Sequence, residues 1–167
     1  MSYSYKDLTD IDPSSMPSAE KMSFGIVVSE WNSEVTDVLY IGAEETLLDC
    51  GCKPENIFRH NVPGSFELPA GALFFAEYHN VDAVICLGCV IQGETPHFQF
   101  ICSAVAQGIL NLCFQYKKPF IFGVLTTNTM EQALARSGGE HGNKGVEAAA
   151  TAINMVALQK EMQGRKI

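Results

Sequence analysis

The stretch Val84-Ile85-Cys86-Leu87-Gly88-Cys89-Val90-Ile91-Gln92-Gly93-Glu94-Thr95-Pro96-His97-Phe98 decides how the rest of this chain is read. Its apolar first half predicts a buried strand. The run breaks at Gly93, and a helix is expected to open at Thr95-Pro96. Threonine is a good N-cap, and proline loses nothing at the first helical position, because the N–H it lacks has no partner there. Such a turn presents unpaired amides that attract anions, phosphate above all. His97 falls in the first turn, so a titratable imidazole stands beside an anion site, a setting suited to phosphorylated substrates.

The same alternation runs in both directions from this stretch. Met22–Ser29 is a short apolar run suited to a strand. Ser33–Cys50 carries Val35, Val38, Leu39, Ala43, Leu47 and Cys50 at helical spacing, with Gly51 as its stop. Asn56–Val62 reads as a second strand with Phe58, His60 and Val62 on one side. Pro63-Gly64-Ser65 turns the chain, and Pro69 opens a helix bearing Leu73, Phe74 and Tyr78. Ala83–Ile91 is the third strand, and the helix after His97 aligns Phe98, Ile101, Val105, Ile109 and Leu112. Phe120–Thr126 is the fourth strand. A short helix with the capping-box pattern Thr129-x-x-Gln132 then ends at Ser137-Gly138-Gly139. The last helix, from about Asn143, has a stripe of Val146, Ala150, Ile153 and Ala157.

Strands that are apolar throughout and alternate with helices imply parallel pairing with both faces covered. Right-handed crossovers then give a three-layer α/β/α sandwich on a four-stranded parallel sheet. Residues 22–167 read as one domain behind an N-terminal segment, 1–21. Ligands of such sheets bind beyond the carboxyl ends of the strands. That singles out the loops Glu30-Trp31-Asn32, Pro63–Glu67, Gln92–His97 and Thr127-Asn128.

Composition narrows the function. The formal net charge of −8 argues against non-specific binding to nucleic acid or to anionic membranes. No apolar run is expected to reach the roughly 18–20 residues that cross a bilayer. Met1 to Lys21 has no apolar core like that of a signal peptide, so the expected location is the cytoplasm. An acidic protein that handles phosphate needs local cations. Arg136-Ser137-Gly138-Gly139-Glu140-His141-Gly142-Asn143-Lys144-Gly145 holds two in a glycine-rich connection. Arg136 can grip a phosphate with two parallel bonds, and Lys144 would act as a point charge. The spacing matches neither the P-loop nor the dinucleotide fingerprint, and a simple helix cap and linker accounts for it equally well.

Six cysteines in a chain of this kind read as small buried hydrophobes rather than a disulfide framework. Cys86 and Cys89 match the C-x-x-C spacing of redox and zinc sites. Within a strand, however, residues three apart point to opposite faces, so one geometry does not serve both thiols. The other candidates have two readings each. Trp31, the only tryptophan, either helps close a loop or offers a flat platform to a planar heterocycle. Pro63-Gly64-Ser65-Phe66-Glu67-Leu68-Pro69 is a strand-to-helix turn with Glu67 well placed near a helix start. It also offers backbone groups and a carboxylate to a polar ring or a polyol. Among the histidines only His97 has an anion-friendly setting; His60 and His79 have none, and His141 lies in the glycine-rich connection.

Taken together, five stretches resemble the 6,7-dimethyl-8-ribityllumazine synthase family. They are Glu30-Trp31-Asn32, Val62 to Pro69, Leu87 to Phe98, Phe122-Gly123-Val124-Leu125-Thr126, and Gly142-Asn143-Lys144-Gly145, in family order and at family spacing from about Met22 to Leu158. The resemblance implies a flavodoxin-like fold. It also implies condensation of 5-amino-6-(D-ribitylamino)uracil with 3,4-dihydroxy-2-butanone 4-phosphate, the penultimate step of riboflavin biosynthesis, with no metal or organic cofactor. By position, Trp31 would stack on the pyrimidine, where many members have phenylalanine. Ser65, Phe66 and Glu67 would hold the ribityl chain and flank the ring. Cys89, Val90 and Ile91 would line the pyrimidine pocket, largely through backbone contacts. Glu94 and Thr95 would take the phosphate, with Arg136 as counter-charge, and His97 would transfer protons. Phe122 would come from a neighbouring subunit. Lys144 is expected only to support.

Family members form pentamers, and some assemble twelve of these into a hollow shell of sixty subunits. The compact Gly138–Gly145 connection is compatible with a shell. Two departures stand out: Glu94 puts a carboxylate in the phosphate turn, and Gln92 stands where some relatives carry arginine. Two other functions are weighed against the enzyme: a non-catalytic protein of the same fold that stores a lumazine or flavin, and thiol redox or metal chemistry at Cys86 and Cys89.

Overall fold

A computed structural model describes residues 11–164. Of the N-terminal segment set apart above, residues 1–10 lie outside the described residues, as do 165–167. Four strands form one sheet: β1 (Phe24–Ser29), β2 (Ile57–Val62), β3 (Ala83–Ile91) and β4 (Phe120–Thr127), in the order β2-β1-β3-β4. Every pair is parallel. Helices α1 (Ser33–Asp49), α2 (Leu68–Tyr78), α3 (His97–Tyr116), α4 (Met130–Ala135) and α5 (Lys144–Met162) fill the connections and follow β4. The expected three-layer sandwich is thus the observed architecture.

Side-chain alternation along each strand sorts the core into two layers. Phe24, Ile26, Val28, Ile85, Leu87, Cys89, Ile121 and Leu125 pack with α1 and α5. Val27, Val84, Cys86, Phe120 and Val124 pack with α2 and α3. Burial on both faces is why β1 and β3 are apolar without interruption. Residues just before β1 join the first layer: Ala19 and Met22 are buried, and the Ala19 amide donates to Cys50 O (2.8 Å).

Three expectations need correction. In α2 the buried residues are Leu68, Gly71, Ala72 and Phe75, while Phe74 and Tyr78 are exposed. The helix starts at Leu68, so its apolar stripe runs i, i+4, i+7 from that residue and the expected face was rotated away from it. Val38 of α1 is partly exposed rather than core, and its carbonyl accepts from Asn143 Nδ2 (3.1 Å). Ser137–Gly139 is not a plain helix stop but a short strand, β5, antiparallel to β6 (Gly142–Asn143). Positive φ at Gly138 (110°) and Gly142 (75°) makes this tight hairpin possible.

Helix α3 also exceeds what the apolar runs suggested. Its 20 residues include an 18-residue window of mean hydropathy 1.3, enough by length and composition to cross a membrane, and only 17% of that window is buried. Counting uninterrupted apolar residues missed this, because Gln99, Ser103, Gln107, Asn111 and Gln115 interrupt the run without adding charge. Val105, Ile109 and Leu112 lie against the sheet, as expected, whereas Phe100 and Phe114 are exposed.

The layer of α1 and α5 is held at unusually short range. A Cβ at Gly145 would lie 1.8 Å from the backbone oxygen of Leu39. Small residues Ala148, Ala149 and Ala152 continue the contact along α5. Because the obstacle is backbone, it cannot yield as a side chain would. Gly145→Ala is therefore expected to lower folding stability by about 3 kcal/mol or more, measured as the midpoint shift in chemical denaturation and as loss of soluble protein.

Candidate active site

Parallel pairing brings the loops after β1, β2 and β3 to one end of the sheet, and hydrogen bonds lock them together. The Glu30 amide donates to Val62 O (2.9 Å) and the Trp31 amide to Pro63 O (3.1 Å). Asn32 adopts a left-handed backbone (φ 61°), which asparagine tolerates better than most residues. From there its Nδ2 donates to Cys89 O (3.0 Å), tying the end of β1 to the end of β3. Sequence reasoning gave Asn32 no role of its own; its position after a strand, just before a helix, was the available signal.

On this scaffold Trp31 is 70% exposed and Phe66 55% exposed, two aromatic faces open to a ligand. Phe66 belongs to Ser65–Glu67, a single 3-10 turn that leads into α2. Glu67 Oε2 accepts the Gly64 amide (3.0 Å), which fixes the carboxylate beside the turn. Ser65 and Cys89 are buried, and Val90 and Ile91 are partly buried at the end of β3. The loops of β3 and β4 are joined by the Gln92 amide, which donates to Thr127 O (2.8 Å).

The turn expected to take the phosphate differs from expectation by one residue. Helix α3 begins at His97, with Pro96 in the flanking position and no side-chain cap, so Thr95 does not cap it. Proline's fixed φ serves both positions, and the shift leaves the turn less tied down. Among the described residues, no backbone hydrogen bond is donated by Gly93, Glu94 or Thr95. Glu94, Thr95 and His97 are all exposed. These are free donors next to a helix start, the arrangement that favours anions.

Arg136 stands at the end of α4, in the layer on the opposite side of the sheet from α3. Its Nη1 donates to Gln132 O (3.1 Å), and among the described residues it pairs with no carboxylate. Lys144, by contrast, is held by Glu147 (2.6 Å) in its own helix. Asn143 caps that helix through the Gly145 amide (2.8 Å). The Gly142-Asn143-Lys144-Gly145 stretch is thus largely a scaffold for α5.

Phe122 is not brought to this end within one chain. It pairs with Cys86, three residues before Cys89, on the outer strand β4, and is 40% exposed. At ~3.3 Å per residue and ~4.8 Å per strand, Phe122 lies about 10 Å back along the sheet from Cys89, and β4 is about 10 Å across from β1. Elsewhere, His60 and His79 do have company: their rings lie 5.7 Å apart, both against Phe75, lining a cavity of about 260 Å³ near α2.

The profile of the 6,7-dimethyl-8-ribityllumazine synthase family matches residues 21–160. A protein of that name from Parabacteroides distasonis is 54% identical over 156 residues, covering 93% of this chain and 98% of the relative. One from Cytophaga hutchinsonii is 58% identical over 142 residues, covering 85% and 89%. One from Phocaeicola vulgatus is 48% identical over 167 residues, covering 100% and 99%. The chain belongs to the 6,7-dimethyl-8-ribityllumazine synthase family. The relatives bear the name of an enzyme, and nothing in these comparisons favours a lumazine- or flavin-storing protein.

The thiol alternative fails on the geometry of this lumazine synthase fold. Cys86 lies in the core layer of α2 and α3, Cys89 in that of α1 and α5. Burial pushes the Cys89 thiol up to about 11 and the Cys86 thiol further still. A raised thiol pKa keeps the group protonated at neutral pH, the reverse of what a redox nucleophile or a metal ligand needs. Alkylation of the native protein at pH 8 is expected to spare Cys86 and Cys89 until denaturant is added. Mass spectrometry of the modified peptides checks this.

Proposed function

We propose that the protein condenses 5-amino-6-(D-ribitylamino)uracil with 3,4-dihydroxy-2-butanone 4-phosphate to give 6,7-dimethyl-8-ribityllumazine, phosphate and two molecules of water. One observation carries the proposal: in a chain of this family, an aromatic shelf, a fixed carboxylate, a turn of free amides and an imidazole share one end of the sheet. In this reading the pyrimidine stacks on Trp31, and its polar edge meets the backbone of Cys89, Val90 and Ile91. Ser65, Phe66 and Glu67 hold the ribityl chain. The amides of Glu94 and Thr95 receive the phosphate, with Arg136 as the available cation. The exposed Glu94 side chain is free to turn away from that anion.

The chemistry needs protons moved more than it needs a strong nucleophile. The aryl amine attacks the ketone, and the carbinolamine loses water to an imine. Phosphate departs, and ring closure expels the second water. His97 gives and takes these protons, work typically worth ~10²–10⁴-fold. Holding two reactants on one surface supplies much of the rest. The departing phosphate is stabilised by the turn and by Arg136.

The site is completed between copies of the chain. Phe122 reaches the shelf only from a neighbour, in a ring that joins the β4 edge of one chain to the shelf of the next. A head-to-tail contact of this kind closes into a ring, here of five copies, twelve rings making a shell of sixty. Exposed Phe74, Phe100 and Phe114 favour such burial. On α3, glutamine, serine and asparagine side chains recur every fourth residue, and burying them in lipid without partners would be costly. Neighbouring protein is the better cover. Six free thiols suit the reducing cytoplasm. Residues 22–167 act as the single catalytic domain behind segment 1–21.

Mixing both substrates with purified protein is expected to generate the fluorescent lumazine; its absence at high enzyme concentration would refute the proposal. In the same assay His97→Ala should lower kcat about 100-fold with KM largely kept. Arg136→Ala should raise KM for the phosphorylated ketone about tenfold or more, the loss of a charge-assisted bond. Light scattering after gel filtration should find five or sixty chains per particle, and a monomer would overturn the shared site.

A further inference from the structure

We infer that Gly64 is a positioning residue for the aromatic shelf: its missing side chain is the slot into which the Trp31 ring leans. This rests on the proposed role of Trp31 as the surface that receives the pyrimidine.

Two observations separate this role from an ordinary turn glycine. The Gly64 backbone is extended (φ −136°, ψ 174°), a conformation open to any residue, so glycine is not required there by the chain path. Space is what requires it. A Cβ at Gly64 would lie 2.8 Å from Trp31 Cε3 and 3.0 Å from Cζ3, and 3.1 Å from Glu67 Oε2. Cε3 and Cζ3 form the outer flank of the indole's six-membered ring, where a phenyl ring in the same rotamer carries no carbon.

The surroundings decide which group would yield. The Trp31 backbone is held by its bond to Pro63 O, and the next residue is tied to Cys89. The indole itself is mostly exposed. A methyl group at position 64 would therefore swing the ring rather than unsettle the fold. Gly64 also donates its amide to Glu67, so one residue sets the ring beside the carboxylate that flanks the ribityl chain. A tryptophan shelf is wider than a phenylalanine one, and the glycine is what lets the wider ring lie flat.

The test is a double-mutant cycle of Gly64→Ala and Trp31→Phe in the full-length protein. Trp31 is the only tryptophan, so emission from the ligand-free protein reports its ring directly. Gly64→Ala is expected to change the emission maximum or intensity. It should raise KM for 5-amino-6-(D-ribitylamino)uracil about two- to twelvefold, the range of a lost stacking contact, with kcat within about twofold. Added to Trp31→Phe, the same substitution should change KM by less than about twofold, because the clashing flank is gone. Emission identical to wild type overturns the inference. So does an equal rise of KM in the Trp31→Phe background, which would route the effect through Glu67. If Gly64→Ala alone does not fold, folding of the double variant supports the slot and its failure overturns it. A wild-type protein without turnover would refute the proposed function, and the emission comparison would still decide for or against the slot.

Discussion

Parallel pairing of β1 with β3 is the constraint from which the rest of the molecule follows. Two central strands running the same way, each covered on both faces, can place polar, ligand-facing residues only at their ends. The residues after Ser29 and after Ile91 therefore emerge side by side. The bond from Asn32 to Cys89 O then converts proximity into a fixed distance. With β2 added beside β1, the turn after Val62 joins the same edge, and Trp31 and Glu67 become neighbours through Gly64.

Whether an acidic chain can receive an anion depends on which of its cations are left without a carboxylate. Lys144 and Arg59 are neutralised by Glu147 and Asp37, and Lys160 lies 3.4 Å from Asp82. Among the described residues, Arg136 has only a backbone carbonyl to hold it, and it stands across the sheet from α3. A guanidinium without a carboxylate partner is available to a ligand, and free amides add directional donors without a further net charge.

The strands were legible in the sequence because burial on both faces leaves an apolar run, as in Val84–Ile91. The loops at their carboxyl ends followed from that one inference, and so did the opposite orientations of Cys86 and Cys89. Helix faces were less legible where nearly every residue is apolar. In α2, Phe74 and Tyr78 look as suitable for a core as Ala72 and Phe75, and only the tertiary packing chooses between them. Close approaches were not legible at all. Gly64 and Gly145 look like turn and cap glycines, and what they accommodate, an indole edge and a backbone carbonyl, comes from elsewhere in the chain. The family resemblance supplied an expected role for Phe122 that spacing could not, and for Arg136 it chose between the phosphate and linker readings.

Phe122 carries the strongest argument for the proposed sharing of the site between copies. It lies on the edge strand, partway along it, in register with Cys86 rather than with the residues at the mouth. Trp31 lies beyond the end of β1, two strands away. With about 10 Å across the sheet and a larger distance along it, Phe122 is set well back from the mouth where Trp31 stands. An aromatic group exposed at the edge of the sheet and an open aromatic shelf at its end are two separate surfaces of the same chain. They can meet between chains, and because the two surfaces differ, each copy that offers an edge also presents a shelf to the next.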